Sequence, residues 1–103
     1  MHLEWLRKPV VPAAVAAELG QHLMRFSLME NYLEPAEVIA FLADLGDALD
    51  GFVKGMEHFV ASRQGVLRQH AVLALEHGIA MHRASLEWVR SAMAALGETS
   101  PAP

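Results

Sequence analysis

Residues 35–62 read PAEVIAFLADLGDALDGFVKGMEHFVAS, and large apolar side chains recur along them in alternating steps of three and four. This spacing places the side chains in one stripe on a helix, where they can pack against a partner helix. We name the stripe the first seam, and its members are Val38, Leu42, Leu45, Leu49, Phe52, Met56 and Phe59. The pattern predicts a long helix that begins at Pro35 and runs to about Ser62.

A second stripe with the same spacing follows along the chain. We name it the second seam, and its members are Val72, Leu75, Ile79, His82, Leu86, Val89, Met93 and Leu96. It predicts a second long helix from about Val66 to about Leu96, with a histidine at one core position. Gly97 and the Ser, Thr and Pro residues after it predict a disordered tail at 98–103, beyond a single helical domain at 1–97.

The registers of the two seams indicate how these helices are connected. If the first register continued unbroken, its core positions would fall on Arg63, His70 and His77, whereas the second seam uses positions two residues later. Two residues correspond to a rotation of about 200° around a helix, so one unbroken helix would carry the seams on nearly opposite faces. An antiparallel hairpin that reverses between Ser62 and Gly65 fits better, and a single bent rod is the alternative.

A third helix precedes the hairpin. It is predicted from Pro12, a residue favoured at the first helical position, to about Tyr32. Its apolar face consists of Val15, Leu19, Leu23 (or His22), Phe26, Met29 and Leu33. Trp5 is predicted to pack back on the bundle, with docking on a neighbouring subunit as the alternative. The fold class is therefore all-α, a three-helix bundle built on a long antiparallel helical hairpin that oligomerises.

Composition limits the class of protein. The hydrophobic fraction of 53% and the length of 103 residues describe one small domain that has difficulty covering its own apolar surface, so self-association is expected. The eight Lys and Arg residues are scattered and the net charge is −4, which argues against nucleic-acid binding. No apolar run is long enough to span a membrane. Residues 1–17 loosely resemble a signal peptide, but Pro12 interrupts them, and we expect a cytoplasmic protein.

The sequence lacks the residue patterns that are typical of catalytic sites. There is no cysteine, and the serines occur in predicted helices or in the tail rather than in a Gly-x-Ser-x-Gly turn. No glycine-rich phosphate loop occurs either. We therefore predict no enzyme and no cofactor, but a protein–protein interaction or assembly module that acts through Leu45, Leu49, Phe52, Met56, Ile79, His82, Leu86 and Val89. The partner is a second copy, a larger protein, or both.

His82 is a candidate switch because it is a polar member of the second seam. In the predicted hairpin it falls opposite Leu45 to Leu49, with Asp44 and Asp47 within reach. A buried polar side chain can determine the register of a coiled coil, and a His–Asp pair would make assembly sensitive to pH. The alternative is a core histidine with no regulatory role.

Three other histidines form the alternative functional hypothesis, a metal- or ligand-binding bundle. The predicted hairpin brings His58 near His70, and His77 lies seven residues further along the same helix face. With Glu57 nearby, these imidazoles could bind Zn²⁺. Known helical metal motifs are absent, so exposed surface histidines are the alternative.

Small residues form a further stripe beside the first seam: Ala48, Gly51, Gly55 and Ser62. Each glycine inside a helix costs about 1 kcal/mol relative to alanine. Gly46, Gly51 and Gly55 in one helix therefore indicate a close approach to the backbone, by a second helix or, as the alternative, by a ligand.

Overall fold

The computed structural model describes residues 3–99, with side chains described as far as residue 97. Its helices are α1 (Leu3–Leu6), α2 (Val15–Met29), α3 (Pro35–Ser62) and α4 (Gln69–Thr99), and a 3-10 turn at Pro12–Ala14 leads into α2. No strand occurs between residues 3 and 99, which confirms the all-α prediction. Residues 100–103, most of the predicted tail, lie outside the described residues.

Helix α3 has the predicted bounds, for local reasons. Glu34 is extended, with φ −68° and ψ 149°, because the residue before a proline avoids helical geometry. At the other end the hydroxyl of Ser62 donates to the carbonyl of Phe59 over 3.0 Å. Gly65 then has φ +81°, a conformation that glycine adopts without steric cost. The chain therefore leaves α-helical geometry between 63 and 68, so α3 and α4 are two separate helices rather than one continuous helix.

Helix α4 differs from its predicted range at both ends. It begins at Gln69 instead of Val66, because the backbone amides of Val66 and Leu67 both donate to the carbonyl of Arg63 and close a turn first. It continues through Gly97 to Thr99, so Gly97 does not end the helix. The connection between α3 and α4 is therefore longer than the sequence indicated.

As the residue number increases along α3, the number of the contacting residue on α4 decreases. Gly46 contacts Val89, Phe52 contacts His82, and Met56 contacts Gly78. Glycines lie at two of these contacts. A Cβ atom added at Gly46 would be 3.3 Å from Cγ1 of Val89, and one added at Gly78 would be 3.0 Å from Cε of Met56. The close approach predicted at Gly46 is therefore an approach to α4.

The buried core lies at one end of the molecule, which we name the body. Its members on α3 and α4 are Val38, Phe41, Leu42, Leu45, Ala48, Leu49, Val53, Ile79, Leu86 and Val89. Helix α2 covers this end, where Phe26 meets the ring of Trp88 edge-on with centroids 5.4 Å apart. Helix α2 has 15 residues against 28 in α3, or about 22 Å against about 42 Å. It is therefore too short to cover all of α3.

Candidate interaction surface

The uncovered end of α3 and α4 is the first part of the candidate surface. We name residues 54–78 the arm, and none of them is buried. The first and second seams nevertheless continue through it. The seam residue Phe59 is 40% exposed, and Val66 and Leu73, which lie outside both seams, are 74% and 55% exposed. An apolar surface of this kind on a small protein is typical of a protein–protein contact.

Charge is distributed unevenly between the arm and the part of α3 in the body. Residues 26–53 contain six acidic residues and no basic one: Glu30, Glu34, Glu37, Asp44, Asp47 and Asp50. Residues 54–78 contain three basic residues, two acidic residues and three histidines. The basic residues are Lys54, Arg63 and Arg68. The arm therefore has a small excess of basic over acidic side chains, opposite in sign to the acidic stretch of the body.

The second part of the surface is a groove beside α3 in the body, with a volume of about 620 Å³. One wall comes from the chain that precedes α2, with Val10, Pro12 and Ala13. The α3 side consists of Asp44, Asp47, Ala48, Gly51 and Phe52. We name this the acidic groove, because its apolar floor is bordered by two exposed carboxylates.

A buried arginine holds the wall of the acidic groove in place. Arg25 on α2 is 2% exposed, and its Nη1 donates to the carbonyls of Trp5 and Lys8 over 3.0 and 2.6 Å. Its guanidinium also lies over the ring of Phe41, 5.0 Å from the centroid. Arg25 therefore attaches the chain that carries Val10 to the body, and the half-buried Trp5 packs back on the core.

His22 is the other buried polar side chain of α2. Arg25 Nη2 lies 2.9 Å from Nδ1 of His22, and since a guanidinium can only donate, Nδ1 is the acceptor. The proton of the neutral ring is then on Nε2, which is buried without a hydrogen-bond partner. Burial, and next the charge of Arg25, lower the pKa of His22, against an opposing effect of Glu18. Burial also lowers the pKa of Arg25.

The sequence interpretation left His22 and Leu23 as alternatives for the α2 core, and it missed Arg25. The structure buries His22 and leaves Leu23 39% exposed. The helical spacing could have identified both polar residues, because Val15, His22 and Met29 are separated by seven residues and Arg25 follows His22 by three. Arginine is almost never fully buried without a partner, so the spacing by itself favours an exposed position for Arg25.

An exposed ion pair holds the same N-terminal chain on its other side. Arg7 Nε donates to Oε2 of Glu37 over 2.8 Å, and Nη2 donates to Oε1 over 3.3 Å. This hydrogen bond lowers the pKa of Glu37 and raises that of Arg7. The N-terminal chain is thus tied to α2 through Arg25 and to α3 through Arg7.

The predicted switch does not form. His82 packs its ring against Phe52 with centroids 4.7 Å apart, and its Nδ1 donates to the carbonyl of Gly78 over 2.6 Å. No ion pair within residues 3–97 joins it to Asp44 or Asp47, which line the acidic groove instead. The longer connection shifts the pairing of the helices. Side chains also lean toward the N-terminus of their own helix. Two side chains that meet therefore belong to residues with higher numbers than the two backbone positions that lie opposite each other.

The predicted metal site is not assembled either. Across the described part of the chain, no three His, Cys, Asp or Glu side chains are grouped so as to hold a metal ion. His58, His70 and His77 are all exposed. Glu57, which the sequence placed beside His70, forms an ion pair with Arg83 because of the same shift in pairing.

The predicted seam residues have two different environments. Leu45, Leu49, Ile79, Leu86 and Val89 are buried in the body, where they hold the chain's own helices together. Phe52, Met56 and His82 are partly exposed near the start of the arm. Of these eight residues, a partner can therefore reach only Phe52, Met56 and His82.

The sequence matches no family model, and no curated protein or solved structure is significantly similar to it. Among the described helices, none has both the length and the apolar character that crossing a membrane requires.

Proposed function

We propose that this chain is a small protein–protein interaction module, a three-helix bundle on an antiparallel α3–α4 hairpin, that assembles with a second copy through its arm. The observation that carries the proposal is the absence of any buried residue between 54 and 78, although both seams continue there. The proposal covers three roles for such a module: an adaptor, a scaffold or a chaperone-like subunit. The proposal includes no catalytic activity and no cofactor.

The energetics of the arm support this proposal. Two helices bury apolar side chains only where they face each other, so the outward sides of the arm stay in water. Exposed apolar surface contributes about 25 cal/mol per Å² when it is removed from water. Phe59, Val66 and Leu73 have this exposed area, and pairing with the helices of a second copy would cover it. In a two-fold dimer the interface is isologous, because both subunits contribute the same surfaces.

Sedimentation velocity and native mass spectrometry over a range of protein concentrations test the proposal. The expected result is a wild-type dimer that the double variant Val66→Gln and Leu73→Gln weakens. The control is Met24→Gln, which changes a 61% exposed apolar residue of α2 outside the arm and is expected to leave the dimer intact. Circular dichroism establishes that each variant is folded. A wild type that is monomeric at every concentration would overturn the proposal.

A further inference from the structure

We infer that the acidic groove receives the arm of a second copy of this chain, in a two-fold symmetric dimer whose α3 helices run in opposite directions. This inference rests on the proposed function and specifies which surface of the body the arm binds. It makes the dimer reciprocal, with the arm of each copy in the groove of the other.

The groove has charges that its own chain leaves unpaired. Asp44 and Asp47 are exposed on its border, and within residues 3–97 no ion pair involves either of them. By contrast, the next aspartate along α3, Asp50, pairs with Lys54 over 2.8 Å. The border of the groove therefore suits a partner with basic side chains beside an apolar strip.

The arm has this combination of side chains. Arg63 and Arg68 are exposed at the two ends of the connection between α3 and α4, and neither forms an ion pair within the described residues. The guanidinium of Arg63 lies over the ring of Phe59, 4.8 Å from the centroid. Basic and apolar groups thus share one surface. Opposite charges on two surfaces steer them together and determine their register.

The floor of the groove also allows a close approach. A Cβ atom added at Gly51 would meet nothing within 4 Å, and the same holds for Gly55 one turn further along α3. Gly46, in contrast, faces Val89 of α4. The helix therefore carries two glycines that no contact within the chain requires, on the side where the groove opens. Packing of a second helix there would account for them.

The arrangement of the two surfaces along α3 favours the symmetric dimer. The groove uses α3 residues 44–52, and the arm uses α3 from residue 54 onward. A two-fold axis near the boundary between them places the arm of one copy along the groove of the other. By symmetry the second arm then meets the second groove, so each contact forms twice.

Charge reversal tests the inference. One variant combines Asp44→Lys with Asp47→Lys, and the other combines Arg63→Glu with Arg68→Glu. In each variant alone, like charges would oppose each other at both contacts, and the dimer is expected to weaken on the order of tenfold or more. In an equal mixture, both contacts again join opposite charges. Native mass spectrometry should therefore detect the mixed dimer as the dominant species, with an affinity near that of the wild type.

A steric variant tests the same contact without altering charge. A Cβ atom at Gly51 has no atom of its own chain within 4 Å, so the Gly51→Leu monomer is expected to fold, and the rest of the side chain would fill the groove and reduce dimer affinity. Gly20→Leu is the matched control, because Gly20 is also an exposed helical glycine with nothing within 4 Å. It is expected to dimerise like the wild type.

The outcomes separate this inference from the proposed function. If both charge variants dimerise like the wild type, and their mixture shows no preference for the mixed dimer, the groove is not the receiving surface. Weakening by Val66→Gln and Leu73→Gln would then still support assembly through the arm. A wild type that stays monomeric overturns both proposals. This outcome includes the case in which the arm binds a different protein instead of a second copy.

Discussion

Arg25 and His22 form a buried hydrogen-bonded pair, 2.9 Å from Nη2 to Nδ1, in which the histidine has to be neutral to accept. Charging the imidazole would remove this acceptor and place a second cation beside the guanidinium. The same guanidinium binds the carbonyls of Trp5 and Lys8. Protonation of one ring is therefore coupled to the attachment of the N-terminal chain and the wall of the acidic groove.

The first prediction is that stability falls as His22 becomes protonated. The ordinary pKa of histidine is 6.5, and burial lowers the pKa of His22 in the folded chain. Below pH 6.5 the unfolded chain then binds more protons than the folded chain, so the free energy of unfolding decreases as the pH drops. Above pH 6.5 the ring is neutral in both states, and the free energy of unfolding no longer depends on its protonation. Denaturant titrations between about pH 7 and about pH 5 measure the slope.

The matched variant for this prediction is His22→Gln, whose amide oxygen can accept from Arg25 but does not titrate. Its stability is expected to depend less on pH than that of the wild type in the same interval. The lowered pKa of Glu37 affects stability only at lower pH, below its ordinary value of 4.5. Equal slopes for wild type and variant would contradict the prediction.

The second prediction concerns the anchor of the N-terminal chain. Arg25→Ala removes the guanidinium from the carbonyls of Trp5 and Lys8 and from Nδ1 of His22, and each unsatisfied buried polar group costs about 1–3 kcal/mol. We expect a loss of roughly 3 kcal/mol in the free energy of unfolding. Faster hydrogen exchange in residues 3–14 should accompany it. Arg7→Gln, which removes an exposed ion pair, is the control and should change little. A stability loss of the same size in both would refute the assignment.

The third prediction compares two glycines of α3. Gly51→Ala should stabilise the monomer by up to about 1 kcal/mol, because alanine favours the helix and the added methyl group meets no atom. Gly46→Ala should gain less or lose stability. Its methyl group would lie 3.3 Å from Cγ1 of Val89, a buried, branched side chain with little freedom to move. Thermal unfolding of both variants measures the difference, and equal gains would show that α4 does not restrict Gly46.

The fourth prediction concerns the reversal between α3 and α4. Gly65→Ala should cost about 1–2 kcal/mol, because the backbone there has φ +81° and a Cβ atom is strained in that conformation. Gln64→Ala, at the exposed neighbouring position, should have a small effect. Chemical denaturation distinguishes the two. If Gly65→Ala were as stable as the wild type, the turn would have to adopt a different backbone conformation.

The local features of the chain were predictable because each depends on neighbours in sequence. Pro35 begins α3, and the chain leaves that helix before Gly65, since proline and glycine act on their own backbone. The burial of Leu45 and Leu49 follows from their spacing along the first seam. The candidate surface was predicted only in outline, as an exposed part of the seams.

The contacts across the molecule were not predictable in the same way. The position of His82 opposite Phe52 depends on the length of the connection and the lean of side chains, and a shift of a few residues separates it from Asp44 and Asp47. The burial of Arg25 required carbonyl groups of a distant segment to stabilise its charge. No pattern within α2 shows that those carbonyls are there.

The sequence by itself determined the all-α class, the extent of α3 and the stripe of side chains that α3 buries, because spacing and backbone preferences act within a few residues. Only the tertiary structure decided which residues pair across the helices, where the core ends, and that the chain before α2 forms one wall of a groove. These depend on connection length and on the short reach of α2. The physical reason is that packing is a relation between distant parts of the chain, and helical periodicity describes only one helix at a time.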